Sequence, residues 1–403
     1  MSDLFFLPAW PLPLQALPWY ALLLLAAAIA GEALQRLLRL PRVLGWIVAG
    51  VVLGPHASGA LGAQDLAGLR GVLEVAIGMV LFELGQRVDL QWLRRNPWLL
   101  AASLLECGLS FGAMFVLLLA LDAPPLLAAV AAAIGVATAP AVILVVVRDL
   151  RAQGQVTERA LLLTALNNIV AFLSVSMLLA WLAHEYAGGW RIALGHPLYL
   201  ITGSLALAGA LAGVTLALLQ LLGRRDEAQF ISAVALVVLA VWAAGALKLS
   251  VTLTLLGYGT LLRAIDRRRH FVSLDFGRVG RIFVMLLFAI TAASLDLRLL
   301  PAGALAGATL VAARYLGKTL GIFAFARPSG MTLRKASLVS LGLMPMSGLA
   351  VVLVSQTAEL YPKIGVSLAT VVVSATVMLE LLGPLVAHFA LIKAGDAAED
   401  AGR

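Results

Sequence analysis

Apolar stretches of about 20 residues recur along this chain, separated by short clusters of arginine, and that alternation limits what it can fold into. About 20 residues of helix span about 30 Å, the thickness of the hydrocarbon layer of a bilayer. Of 403 residues, 62% are hydrophobic and 12% charged, with a mean hydropathy of +1.00. A soluble domain carries about 25% charged residues, and a chain of this length has no core able to hide so much apolar surface. The composition excludes a cytosolic enzyme, a disordered chain and a secreted disulfide scaffold. It predicts an all-α polytopic membrane protein.

Thirteen membrane spans are predicted, at about 15–35, 43–62, 71–88, 97–120, 124–147, 158–183, 197–222, 229–247, 249–263, 279–296, 300–325, 335–358 and 365–392. The first resembles a signal peptide at 21–33. No lysine or arginine precedes Arg36, however, so the segment reads as a retained first helix with its N-terminus outside. With that start, 22 of the 29 basic residues fall on the cytoplasmic side. Five (Arg70, Arg191, Lys248, Arg298 and Lys363) fall outside, and Arg314 and Lys318 lie within a span. This asymmetry follows the positive-inside rule. It places the C-terminus in the cytoplasm and makes the net charge of +8 largely a topology signal. The basic run Arg267–His270 is expected to set orientation and touch anionic headgroups rather than nucleic acid. The expected location is the inner membrane of a bacterium.

One cysteine, Cys107, excludes an internal disulfide and reads as a small buried hydrophobe. Five scattered histidines suggest no metal site beyond a transported ion. No phosphate-binding glycine loop, serine elbow or carboxylate pair of an enzyme is present, and no cofactor is expected.

Two spans carry helix breakers near mid-membrane: Thr138-Ala139-Pro140 in the fifth, and Gly342, Pro345, Ser347 and Gly348 in the twelfth. Proline removes a backbone hydrogen bond, and in lipid the freed groups must face protein or a water-filled cavity. A matched pair of broken helices points to the binding site of a secondary transporter. Polar residues intrude beside them: Asn167 and Asn168 after the first break, and Arg314 and Lys318, one turn apart, before the second. A charge at mid-bilayer costs about 2.5–3.5 kcal/mol on insertion scales, so Lys318 is a functional candidate; snorkelling to an interface is the ordinary reading of Arg314. Of the carboxylates within spans, Glu106 and Glu380 are expected to cap cavities or pair with loop arginines. Glu83 is the candidate for transport chemistry.

In this order, "RVLGWIVAGVVLGPHASG" (42–59), "VLFELGQRVDLQWLRR" (80–95), "ATAPAVILVVVRDL" (137–150), "GKTLGIFAFARPSGMTLRKASLVSLGLMPMSGLAVVL" (317–353) and "TVMLELLGPLVAHFAL" (376–391) resemble the second family of monovalent cation:proton antiporters. This is the sodium/hydrogen-exchanger-type membrane domain of Kef-like proteins. The resemblance covers essentially the whole chain. It implies one membrane domain over 1–403 without a soluble regulatory domain, with inverted repeats at about 15–183 and 229–392 and a linker helix at 197–222. It further implies two broken crossing helices, an elevator movement and a homodimer exchanging Na⁺, K⁺ or Li⁺ for protons. The family's ion-binding pair falls on Asn167 and Asn168, and its conserved basic residue on Lys318.

The second position of that pair is an aspartate in the family. Asparagine keeps an oxygen able to ligate a hard cation but cannot ionise. Three readings follow. Exchange persists with another proton carrier, Glu83 or Lys318; or Lys318 draws a different solute, such as an anion; or the protein is a transport-inactive sensor or partner subunit.

Overall fold

The computed structural model describes residues 16–187, 190–222, 226–265, 277–295, 298, 300–346, 350, 354 and 362–398. Among them no strand occurs, and sixteen α-helices follow in order. These are α1 Ala16–Leu38, α2 Arg42–Leu53, α3 Ala63–Gly68, α4 Arg70–Arg87, α5 Leu90–Arg95, α6 Pro97–Ala120, α7 Pro125–Val136 and α8 Pro140–Asp149. The second half adds α9 Gln155–Ala187, α10 Trp190–Leu222, α11 Asp226–Ala246, α12 Val251–Ile265, α13 Gly277–Ala293, α14 Leu300–Ala324, α15 Leu333–Gly342 and α16 Pro362–Ala394.

The chain is an integral membrane protein. Among the described residues seven helical stretches are long and apolar enough to cross a bilayer, including Pro125–Asp149, which contains the first break; Arg42–Leu53, Val251–Ile265 and Gly280–Ala293 are shorter apolar helices. Outward faces carry Trp181, Trp242 and Leu305, each about two-thirds exposed or more. Lipid makes such a surface favourable, where water would penalise it.

The helices depart from the predicted spans in three places. The stretch 43–62 is helical only to Leu53, because Gly54 precedes Pro55 and takes an extended conformation. The stretch 124–147 divides into α7 and α8 at Ala137–Ala139. In the twelfth stretch α15 stops at Gly342, Ala350 and Val354 beyond the break are again helical, and Ser347 and Gly348 lie outside the described residues, as does the run Arg267–His270. Two short helices were not legible in hydropathy. One is α3; the other is α5, whose first turn is capped by the Asp89 carboxylate accepting from the Gln91 and Trp92 N–H groups. Those N–H groups hold the Asp89 carboxyl below its ordinary range.

Buried apolar side chains form two large cores, and several helices pass from one to the other. In α9, Ala165 belongs to the first core and Ala171 to the second. In α14, Ile322 belongs to the first and Ala313 to the second; in α16, Ala387 and Leu379 divide the same way. In α6 the division falls between Leu99 and Cys107, and the whole of α7 borders the second core while α8 lines the first. Glu106, Thr138, Asn167, Asn168, Arg314, Lys318 and Glu380 all stand at these transitions, and all are buried. The fold therefore gathers its buried polar chemistry into one layer between two apolar masses.

Below that layer the end of the chain fastens α9. Asp396 accepts from the Val156 and Thr157 N–H groups and the Thr157 hydroxyl at 2.9–3.0 Å, and Gln153 N–H donates to the Asp396 carbonyl. This satisfies the open N–H groups at the start of a helix.

The α6–α14 contact holds Lys318 in the layer and depends on missing side chains. Gly317 abuts the backbone of Ser110 and Gly321 that of Glu106, four residues apart on one face of α14. Small residues at this spacing let membrane helices touch backbone to backbone. We expect Gly321→Val to force the helices apart and lower stability by about 1–3 kcal/mol, the range for overpacking. Gly209→Ala, where an added Cβ meets nothing within 4 Å, is expected to leave stability nearly unchanged. Thermal unfolding of the purified variants checks both.

Candidate functional site

The first break places Thr138 where α7 stops and α8 has not begun, and the second places Leu343–Pro345 after α15. The two breaks meet directly: Ala139 N–H donates to the Pro345 carbonyl at 2.9 Å. A backbone N–H left open at the first break is thus satisfied by a backbone carbonyl of the second.

Arg314 of α14 completes the junction. Its guanidinium donates to the Gly135 carbonyl at the end of α7, to the Thr138 hydroxyl (3.2 Å), and to the carbonyls of Leu343 (3.0 Å) and Pro345 (3.3 Å). The side chain is fully buried, so it does not snorkel to an interface as a single arginine near a helix end would. A planar fork of five donors suits several carbonyls on different strands of backbone, and the carbonyl ends of helices favour a cation.

One turn further, Lys318 is also fully buried. Its Nζ donates to Glu106 Oε2 at 3.0 Å and reaches the Val136 carbonyl at 3.4 Å. Glu106 therefore pairs with an intramembrane lysine, against the expectation of a loop arginine. Nor does Glu380 form an ion pair with an arginine among the described residues. The Gly317/Gly321 spacing is a sequence signal of close approach by a neighbouring helix, although it does not name the residue that Lys318 meets there.

Asn167 and Asn168 face the same junction from α9. Asn167 Nδ2 donates to the Thr138 hydroxyl at 3.1 Å, and its oxygen accepts from the Cys107 thiol at 3.3 Å. Asn168 Nδ2 donates to the carbonyls of Thr138 (2.7 Å) and Thr164 (2.8 Å). Two carbonyls fix which end of the amide faces them, leaving Asn168 Oδ1 buried with no hydrogen-bond partner among the described residues, as is Glu106 Oε1. An open groove of about 360 Å³ lies between α6 and α9 beside this cluster, with Cys107, Val136, Phe111 and Ser174 in its wall and the exposed Leu104 and Met177 at its rim. The structure thus brings Thr138, Asn167, Asn168 and Lys318 together and adds Arg314, Glu106 and Cys107. Pro140 opens α8, and Pro345 supplies a carbonyl.

Glu83 lies elsewhere. It sits on α4 among residues of the first core and is bonded to Arg148, eight residues beyond Pro140 along α8, or about 12 Å of helix rise. Among the described residues no three histidine, cysteine or carboxylate side chains are grouped as a metal site would need.

Replacing Arg314 tests the junction. Arg314→Met is expected to lower stability by about 1–3 kcal/mol for each carbonyl left unpaired, and Arg314→Lys to restore little, because one ammonium cannot span both breaks. Unfolding temperatures of the two variants measure this.

The sodium/hydrogen exchanger, transmembrane family matches residues 21–391. A search of curated proteins by sequence returns no match. Among solved structures, the chain resembles the sodium proton antiporter MjNhaP1 from Methanocaldococcus jannaschii. In its structure at pH 8 the TM-score is 0.68 at 16% identity, covering 94% of this chain and 95% of that one. In its electron-microscopy map the TM-score is 0.72 at 16% identity, covering 96% and 99%. At this identity the likeness speaks for the fold. The family match spans nearly the whole chain, and the protein belongs to the sodium/hydrogen exchanger family of transmembrane proteins.

Proposed function

We propose that the protein is a monovalent cation:proton antiporter in which Lys318, opposite Glu106, carries the exchanged proton. The observation that supports this reading is the fully buried Lys318–Glu106 pair in the same layer as Thr138, Asn167 and Asn168. An ion pair stripped of water persists only while its partners balance each other. When Lys318 gives up a proton, Glu106 is left with an uncompensated carboxylate that a monovalent cation can neutralise. When the cation leaves, a proton returns to the lysine. The protonated lysine and the cation then compete to neutralise one carboxylate, without any titration at Asn168. Hard cations take oxygen ligands, and in this cluster Asn168 Oδ1 and Glu106 Oε1 are buried oxygens with no hydrogen-bond partner among the described residues. Each exchange returns the layer to the same charge, so the reading expects one cation for one proton.

The alternative that Lys318 holds an anion is less well supported. Its ammonium already faces a carboxylate, and Arg314 is committed to backbone carbonyls. The family match and the likeness to a sodium proton antiporter favour cation exchange. The same reading includes alternating access by elevator movement in a homodimer and repeats at about 15–183 and 229–392. It places the N-terminus outside and the C-terminus in the cytoplasm of a bacterial inner membrane, an orientation supported by the distribution of basic residues. Which of Na⁺, K⁺ and Li⁺ is carried is left to the assay.

In liposomes containing a pH-sensitive dye, we expect at least one of Na⁺, K⁺ or Li⁺ to release a preformed proton gradient between about pH 6 and 9, the range around neutrality in which proton coupling operates. The double variant Lys318→Gln/Glu106→Gln keeps two side chains of similar size that can bond each other, and is expected to abolish exchange. Glu83→Gln is expected to retain it. No response to any of the three cations, or unchanged exchange in the double variant, overturns the reading.

A further inference from the structure

Glu380 lies in the polar layer but shares no hydrogen bond with the crossing cluster among the described residues. It sits on α16, one turn before Gly383, which packs on Pro345. Its carboxyl is buried, Oε1 lies 3.2 Å from the Thr291 hydroxyl of α13, and Oε2 has no hydrogen-bond partner among the described residues. No described cation pairs with it.

The surroundings of Thr291 limit the state of that carboxyl. The hydroxyl is 2.7 Å from the Leu287 carbonyl, 3.2 Å from the Phe288 carbonyl and 3.2 Å from Glu380 Oε1. A hydroxyl has one proton to donate and two lone pairs. Its shortest contact, to Leu287, is the usual back-bond of a helical threonine. With the proton engaged there, a carboxylate oxygen would face a hydroxyl oxygen with no hydrogen between them. A protonated carboxyl removes the conflict by donating to Thr291 itself.

Charges on the neighbouring helices are committed or distant. Arg314 serves the breaks, Lys318 serves Glu106, Arg148 serves Glu83 and Arg159 serves Ser329. Arg42 on α2, Arg278 and Arg281 on α13, Asp149 on α8, Glu158 on α9, and Arg334 and Lys335 on α15 stand in terminal turns of their helices. On α16 itself, His388 stands two turns beyond Glu380 and Lys393 in the last turn. A buried carboxylate without a counter-charge is strongly unfavourable, and binding a proton relieves it.

We propose that Glu380 is a second proton-binding site, built where α16 meets α13 and independent of the Lys318–Glu106 pair. Its ligand is the proton, taken up by the carboxylate and shared with the Thr291 hydroxyl. It makes the contact between these two helices dependent on pH: protonated, it bridges them; ionised, it loses the bridge.

Infrared difference spectroscopy of the protein in lipid nanodiscs tests this without relying on transport, so its failure is distinct from failure of the exchange reading. Between about pH 5 and 10, a span covering carboxyl titration in proteins, wild type is expected to gain and lose a protonated-carboxyl carbonyl band reversibly. Glu380→Gln is expected to lose that band and Glu106→Gln to keep it. Thr291→Val, which removes only the hydroxyl contact, is expected to shift its frequency, and it carries the test if Glu380→Gln does not fold. A band set in Glu380→Gln identical to wild type overturns the proposal, as does an unshifted band in Thr291→Val.

Discussion

A helix that stops inside a bilayer exposes carbonyls and N–H groups that no bulk water meets, and each must find a partner in the protein. Two helices of this chain stop there, and the layer between the two apolar cores is organised around the consequence. The breaks bond each other through Ala139 and Pro345, and Arg314 gathers carbonyls from both sides. Only a long, planar, permanently charged donor reaches so many acceptors at once. The position of Arg314 in turn requires α14 to pass close to the junction, which requires the bare face of Gly317 and Gly321 against α6. Lys318 is carried into the layer by the same approach and meets Glu106 there.

The membrane architecture was legible because lipid imposes a simple rule on composition: every crossing segment is apolar for about 20 residues. The breaks were legible because proline interrupts a helix wherever it falls inside one. Asn167, Asn168 and Lys318 stood out as polar residues in apolar runs, and the fold brings them to one junction. What the sequence did not disclose is pairing across helices. Glu106 lies 212 positions from Lys318, and only the packing of α6 on α14 makes them neighbours. Glu83 attracted attention as a carboxylate in an apolar run, yet such a run does not reveal depth. On α4 it lies within a single core, opposite an arginine near the end of α8. Arg314 lies within a span by sequence, but snorkelling stays open as its ordinary reading there, because hydropathy cannot distinguish a buried guanidinium caged by carbonyls from one reaching water.

The asparagine at position 168 follows from the same accounting of charges and hydrogen bonds. Its amide nitrogen lies 2.7 Å and 2.8 Å from two carbonyl oxygens. An aspartate in that rotamer would present an oxygen to both, and the repulsion would be relieved by a proton, a bound cation or a change of rotamer. Nor is a basic partner at hand, since Arg314 and Lys318 are both engaged. The carboxylate that the family resemblance implies on α9 stands instead on α6, opposite the same lysine. In this arrangement Asn168 secures the edge of the first break through two hydrogen bonds and still offers an oxygen, while in the proposed exchange the ionisable work falls to Lys318 and Glu106 across the layer. An amide at this position is therefore compatible with proton coupling, provided that the titrating pair is sought in the packing of α6 against α14 rather than along α9.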